Sequence, residues 1–326
     1  MENERSPRHS GLELLRILAM LMILIVHVDG AALGLPLPGD DAPWGHVEWT
    51  KTAVEAFAII GVNLFVLISG YFTITLSARR VVTYLVMCLF YSVAIYAVKC
   101  CLVPGVLSAE GVADALSVVS ATDLWFVRDY FYLLLLSPFV NAGLRGLGRR
   151  GLDGLVAVMA VICCYFGWWR GGTVDYNGYC LMQLLFMYVV GFWLRRASLP
   201  ARGWKSAVVY AAGYAAIVMM ARTMAPLQAY AYNSPAVVVA SVAFFCIFTG
   251  MRFHSRVVNS VARNTFAVYL IHKNPYVWVA FMVPVTRAIY EAYSGVAFAI
   301  VITAFVTGVF AACVVIDKVR AALFRL

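Results

Sequence analysis

Ten apolar runs, each near the roughly 20 residues an α-helix needs to cross a bilayer, set what this chain can fold into. They cover approximately 11–30, 53–75, 81–103, 124–144, 154–169, 178–195, 206–225, 235–251, 257–283 and 293–316. The 326 residues are 63% hydrophobic and 13% charged, whereas a soluble protein is about half apolar and a quarter charged. A soluble globular fold is thereby excluded. The expected class is all-α: a polytopic membrane protein with about ten transmembrane helices, a single membrane domain over 1–326 and no separate soluble domain. The first run is too long for a signal-peptide core, lacks a small-residue cleavage site and carries Arg16. It is therefore expected to remain as a signal anchor.

The net charge of +9 does not point to nucleic acid, because the basic residues sit in short connections between apolar runs. Arg5 and Arg8 precede the first run, Arg79 and Arg80 follow the second, and Arg145, Arg149 and Arg150 follow the fourth. Arg195, Arg196, Arg202 and Lys205 follow the sixth, Arg252 and Arg256 the eighth, and Lys318, Arg320 and Arg325 close the chain. Alternate connections are basic throughout, so the positive-inside rule places both termini in the cytoplasm. The intervening connections are acidic: Asp40, Asp41 and Glu48 in the first, Glu110, Asp114 and Asp123 in the third, and Asp175 beside Arg170 in the fifth.

Within the first run, GLELLRILAMLMILIVHV carries Glu13, Arg16 and His27. At about 100° per residue, the step from Arg16 to His27 is three turns plus about 20°, so both project from one face, roughly 16 Å apart along the axis. Glu13 lies one turn before Arg16 on the same side. Ionisable groups at membrane depth normally face a bundle interior or a wet cavity. The competing reading is that each snorkels to its nearer interface, which does not require a shared stripe.

Three further stretches place polar groups in apolar surroundings. In GVNLFVLISGY, Gly61, Ser69 and Gly70 suit close helix packing, while Asn63 is a costly amide to bury unpaired. The adjacent Arg79 and Arg80 fit either a phosphate-bearing ligand or a topology signal. In DLWFVRDY, Trp125 is either a membrane-belt residue or part of a sugar-binding mouth, and Arg128 with Asp129 either binds substrate or neutralises its neighbour. In the ninth run, Tyr269 and His272 share a face, and Pro275 predicts a kink or break near Lys273 and Asn274. A broken helix carrying Asn264, His, Lys and Asn lines a cavity more naturally than a lipid face. The eight cysteines lie mostly inside apolar runs and show no metal-ligand spacing, so no metal site is expected. A pairing of Cys100 or Cys101 with Cys180 is the one disulfide the order of the chain would permit.

Taken together, these stretches resemble the acyltransferase-3 family of integral-membrane acyltransferases. The family's first helix bears an Arg, ten residues and a His, here Arg16 and His27. Its Phe-x-x-x-Ser-Gly signature is matched by Phe65, Ser69 and Gly70, its fourth-helix pattern by Trp125-Phe126 and Pro138, and its Tyr-Leu-x-His motif by Tyr269 and His272. The resemblance implies transfer of an acyl group, often acetyl, from cytoplasmic acyl-CoA to a hydroxyl of a cell-surface or lipid-linked glycan, or of another acceptor. It implies acyl-CoA (acetyl-CoA) as co-substrate with no permanently bound cofactor. It also implies a multi-pass protein of a bacterial plasma (inner) membrane, whose partners are the bilayer, the donor and the acceptor. One departure stands out: family members often carry a basic residue close behind the Ser-Gly pair, whereas here YFTITLSA separates that pair from Arg79 and Arg80.

Acyl transfer from a thioester to an alcohol needs a base, an oxyanion stabiliser and an aligned donor. His27 is the expected base, since histidine titrates near neutrality, with Asp29 or another acid to orient it. Arg16, positioned by Glu13, would meet the donor, and Arg79 and Arg80 would extend a cationic entry for its phosphates. Asn63, Tyr269 and His272 are oxyanion or substrate candidates. Ser69, Trp125, Arg128, Lys273 and Asn274 complete the substrate set. No activated nucleophile is evident, which favours direct transfer over a covalent acyl-enzyme. The alternative function is a secondary transporter of a small polar solute, but transporters usually show two related halves and none is detected here.

Overall fold

The computed structural model describes residues 9–38, 44–117, 124–171, 176–197 and 203–324. Arg5, Arg8, Asp40, Asp41, Asp123, Asp175, Arg202 and Arg325 lie outside these. The described residues form helices and no strands. In order they are α1 (Ser10–Val26), continued by a π-helical turn at His27–Ala32, α2 (His46–Ala58), α3 (Gly61–Phe72), α4 (Ala78–Leu102) and α5 (Ala109–Leu116). There follow α6 (Trp125–Gly146), α7 (Arg149–Ala160) with a π-helical extension over Val161–Trp169, α8 (Leu181–Ala197), α9 (Gly203–Thr223) and α10 (Pro226–Ala229). The chain ends with α11 (Pro235–Thr249), α12 (Arg256–Ala262), α13 (Thr265–His272), α14 (Pro275–Val277), a π-helical turn at Trp278–Met282, α15 (Val283–Ala292) and α16 (Gly295–Phe324).

Among the described residues, six helical stretches are long and apolar enough to cross a membrane: Ser10–Ala32, His46–Phe72, Ala78–Leu102, Arg149–Trp169, Gly203–Thr223 and Gly295–Phe324. Helices also occupy the other four apolar runs, but each falls short for a local reason. Arg128, Asp129, Asn141 and Arg145 dilute α6, while α8 and α11 have only 17 and 15 residues. The ninth run is broken into α12, α13 and α14. That break falls where Pro275 predicted it: α13 ends at His272, and Asn274 caps the next turn by accepting from the Tyr276 amide at 3.0 Å. Two ends differ from the sequence reading. The second run starts at His46, because the Gly45 amide donates to Glu48 (2.9 Å) and opens α2 inside the expected loop. The third connection holds α5, capped by the Ser108 hydroxyl.

α1 is central, packing against α2, α3, α11, α12, α13 and α16. Its apolar stripe (Leu12, Leu15, Ala19, Met22 and Ile23) is buried at helical spacing. Ser10 anchors its start, donating to Asn259 Oδ1 and accepting from the Ser255 amide, both at 3.0 Å. Small residues let the neighbouring backbones approach. A Cβ on Gly61 would lie 2.8 Å from the Ala19 carbonyl of α1. Where α3 crosses α8, one on Gly70 would collide with the Tyr188 carbonyl, and one on Gly191 with the Leu67 carbonyl.

Asn63 clamps the same seam: it donates to the Tyr232 carbonyl (2.9 Å) and accepts from Gln183 (3.2 Å), and Gln183 also reaches that carbonyl (2.8 Å). In α6, Pro138 cannot bond the Leu134 carbonyl, and the Ser137 hydroxyl does so instead at 2.8 Å. Arg320, read from sequence as a surface charge, is buried, paired with Asp317 at 2.7 Å, whose Oδ1 also accepts from Tyr91 at 2.7 Å. This cluster ties α16 to α4.

The α3–α8 crossing yields a direct test. Gly191→Ala forces the helices apart and should lower unfolding stability in detergent by about 1–3 kcal/mol. Gly143→Ala, where nothing lies within 4 Å, should be neutral or stabilising by about 0.5–1 kcal/mol. Thermal unfolding of the purified variants checks both.

Candidate active site

The stretches singled out in the sequence converge through their rings and hydroxyls. His27, the first residue of the π-helical turn, packs its ring 6.2 Å from Tyr269, 5.1 Å from His272 and 5.9 Å edge-on from Trp278. Trp278 itself opens the π-helical turn after Pro275, so two locally widened helices face each other at the histidines. Such turns appear mostly as insertions at functional sites. From Tyr269 the ring contacts continue to Phe126 (5.8 Å), then to Phe65 (5.9 Å) and Tyr130 (5.5 Å). The Tyr130 hydroxyl meets Ser69 Oγ at 3.0 Å, and Ser69 also donates to the Phe65 carbonyl at 3.0 Å. Arg16 and Arg80 both act electrostatically on Tyr130. A continuous series of side-chain contacts thus runs from His27 through Tyr269, Phe126 and Tyr130 to Ser69, joining α13, α6 and α3.

The hydrogen bonds around the histidines assign their protons. His272 Nδ1 lies 2.5 Å from the Val268 carbonyl, which can only accept, so Nδ1 carries the hydrogen. In the neutral ring His272 Nε2 is then an acceptor, and its partner at 2.9 Å, His27 Nδ1, is the donor. His27 Nε2 is left with its lone pair. A neighbouring hydrogen-bonding group thereby fixes the orientation and tautomer of the imidazole, and here the orienter is a second histidine. Asp29, the acid considered for that role, keeps Oδ2 buried with no hydrogen-bond partner.

Arg16 is ion-paired with Glu13, which is buried, and one edge of its guanidinium is thereby fixed on the stripe. Neither Arg16 nor His27 is fully buried, whereas His272 is.

A family model described as an acyltransferase domain (acyltransferase-3) matches residues 9–318. The chain belongs to the acyltransferase-3 family. Neither a curated protein nor a solved structure matches it. It is accordingly a multi-pass membrane acyltransferase.

The other candidates in this acyltransferase-3 chain divide by what already occupies them. Asn63 and Asn274 spend their amides on the seam and the helix cap described above. Arg128 forms a two-point pair with its neighbour Asp129 (2.8 and 3.4 Å), the neutralising alternative of the sequence reading. Lys273 lies 4.2 Å over the Trp278 ring, next to His27. Trp125 packs against Tyr179 (5.1 Å) and Tyr232 (5.9 Å) at the opening of α6. Arg79 and Arg80 are exposed, and Arg80 folds onto the Thr75 carbonyl at 2.6 Å. Cys100 and Cys101 carry free thiols, so neither forms the disulfide with Cys180 that the order of the chain permitted. No cluster among the described residues could hold a metal ion.

Sequence reasoning passed over Tyr130, Trp278 and a buried polar group on α2. Thr52 Oγ1, Glu55 Oε2 and Asp29 Oδ2 are buried with no hydrogen-bond partner among the described residues. Glu55 Oε1 lies against Gly30, where a Cβ would meet it at 2.9 Å. A carboxylate at helix spacing in the second run was the available signal, but a run boundary drawn two turns late weakened it.

Arg16→Lys replaces a planar fork by a point charge. Turnover should fall and not be restored at saturating donor; wild-type kinetics in this variant would show that a point charge suffices at position 16.

Proposed function

We propose that the protein is an O-acyltransferase that moves an acyl group, acetyl foremost, from cytoplasmic acyl-CoA to a hydroxyl of a cell-surface or lipid-linked glycan. The observation that carries this reading is the hydrogen-bond series Val268 carbonyl–His272–His27, which leaves His27 Nε2 as a proton acceptor. In the proposed reaction, Nε2 takes the acceptor's hydroxyl proton as its oxygen attacks the thioester carbonyl. The tetrahedral oxyanion collapses, the C–S bond breaks, and the thiolate leaves and recovers the proton from His27. Acyl ester and free CoA are the products. Tyr269, within ring contact of His27, and Lys273, beside Trp278, are the nearest groups for oxyanion stabilisation.

The donor would approach from the basic end, where α1 begins, with Arg16 meeting its pantetheine arm. The acceptor would approach from the other end, past Trp125, Tyr179 and Tyr232, where the unpartnered oxygens of Thr52, Glu55 and Asp29 suit hydroxyl donors. This polarity takes all ten runs as membrane crossings and both termini as cytoplasmic, as the alternating basic connections support, in a bacterial plasma membrane.

Purified protein should release thiol from acetyl-CoA in the presence of a glycan acceptor and far less in its absence. His27→Gln keeps a donor for His272 but supplies no base, so acceptor-dependent release should fall by about two to four orders of magnitude, with an unchanged size-exclusion profile. Acylated protein accumulating with donor alone would refute direct transfer. Solute uptake without CoA dependence would replace the enzyme reading by transport.

A further inference from the structure

Where α3, α6 and α8 end together, Thr73, Arg145, Phe192, Arg195 and Arg196 line a cavity of about 420 Å³. That volume is within the range of small-molecule sites, roughly 300–1,000 Å³. Three guanidiniums converge on it, and none forms an ion pair with a carboxylate among the described residues. Like charges gathered without counter-charge repel one another, and an anion bound among them would relieve that repulsion.

Two of the three are already aimed. Arg195 Nη1 donates to the Tyr71 carbonyl at 3.1 Å, and Arg196 Nη1 to the carbonyls of Leu147 (3.0 Å) and Leu144 (3.4 Å). Each thereby caps a helix C-terminus, and its remaining N–H groups stay available. Arg145 makes no hydrogen bond of its own within the described residues.

The wall opposite is equally fixed. Thr73 holds φ 60° and ψ 123°, a conformation that L-residues other than glycine rarely adopt. The next residue is locked by a closed set: the Ile74 amide donates to Tyr188 (2.8 Å), Tyr188 to Asn141 Oδ1 (2.8 Å), and Asn141 to the Ile74 carbonyl (2.7 Å). By contrast, Arg79 and Arg80 do not line this cavity.

We propose that this cavity is a phosphate-binding site, with Arg145, Arg195 and Arg196 as its ligands. Guanidinium groups match phosphate oxygens two at a time, and three of them suit a group carrying more than one negative charge. The nucleotide end of acyl-CoA supplies that chemistry, an identification that rests on the donor reading above. The headgroup of an anionic phospholipid supplies the same chemistry from a second source.

The test uses the full chain in phosphatidylcholine nanodiscs, with calorimetric titration of CoA and of phosphate-free pantetheine, and assay of co-purified anionic phospholipid. Arg145→Gln is the decisive variant, since it removes no structural hydrogen bond. A charge-assisted contact of this kind is worth roughly tenfold to a hundredfold in affinity. CoA binding should weaken by about that factor in Arg145→Gln, and less in Arg145→Lys, while pantetheine binding is unchanged. Unaltered CoA binding together with loss of co-purified anionic phospholipid would uphold the phosphate site and make the lipid its source. If CoA binds the wild type and Arg145→Gln equally, and phospholipid content is equal too, the cavity assignment is overturned and the acyltransferase reading stands. If the wild type binds no CoA and retains no anionic phospholipid, both fail.

Discussion

Two imidazoles joined by one hydrogen bond organise this protein. His27 and His272 are 245 positions apart in the chain, yet their nitrogens meet at 2.9 Å, and the contact requires α1 and α13 to lie side by side at one depth. The backbone carbonyl of Val268 then determines the proton positions of both rings. A carbonyl has only lone pairs to offer, so His272 Nδ1 donates to it, and with His272 neutral the second donation runs from His27 to His272. An aspartate in place of the second histidine would have brought a formal charge to membrane depth. A neutral ring orients His27 without that desolvation cost.

Much of the surrounding structure serves to hold that pair in place. The π-helical turns at His27–Ala32 and Trp278–Met282 shift side chains out of regular register where the two segments meet. The rings of Tyr269, Phe126, Phe65 and Tyr130 connect the histidines to Ser69. Elsewhere, polar groups within apolar helices are spent on structure: Asn63 on a carbonyl, Ser137 on the bond Pro138 cannot make, Arg320 on Asp317. Membrane-buried polar groups thus fall into two kinds, those already partnered and those left open at the site.

How much of this was legible in the sequence follows from the range of each interaction. Local signals carried well: the apolar runs and the helix break at Pro275 are both set by residues within a few turns. What failed was long-range pairing. Nothing near Asn63 announces Gln183 or the Tyr232 carbonyl, and nothing near His27 favours His272 over Asp29. The Arg128–Asp129 pair was visible as adjacent opposite charges, yet adjacency alone could not separate a salt bridge from a binding group. The cationic cavity was hidden for a different reason. Its arginines come from two connections and read individually as orientation signals, so only the joint endpoint of α3, α6 and α8 reveals them as one cluster.

The crossing of α3 and α8 has a consequence for motion. With Gly70 and Gly191 each seated on the opposing backbone, and with Asn63 and Gln183 locking the same pair of helices, that seam has no slack in which to slide. It behaves as a fixed post to which Ser69 and the arginine cavity are both attached. Any breathing of the bundle must therefore be borne by segments outside the post, such as α4 and α16, which are mostly exposed along their lengths and would move as the unit that Tyr91, Asp317 and Arg320 tie together.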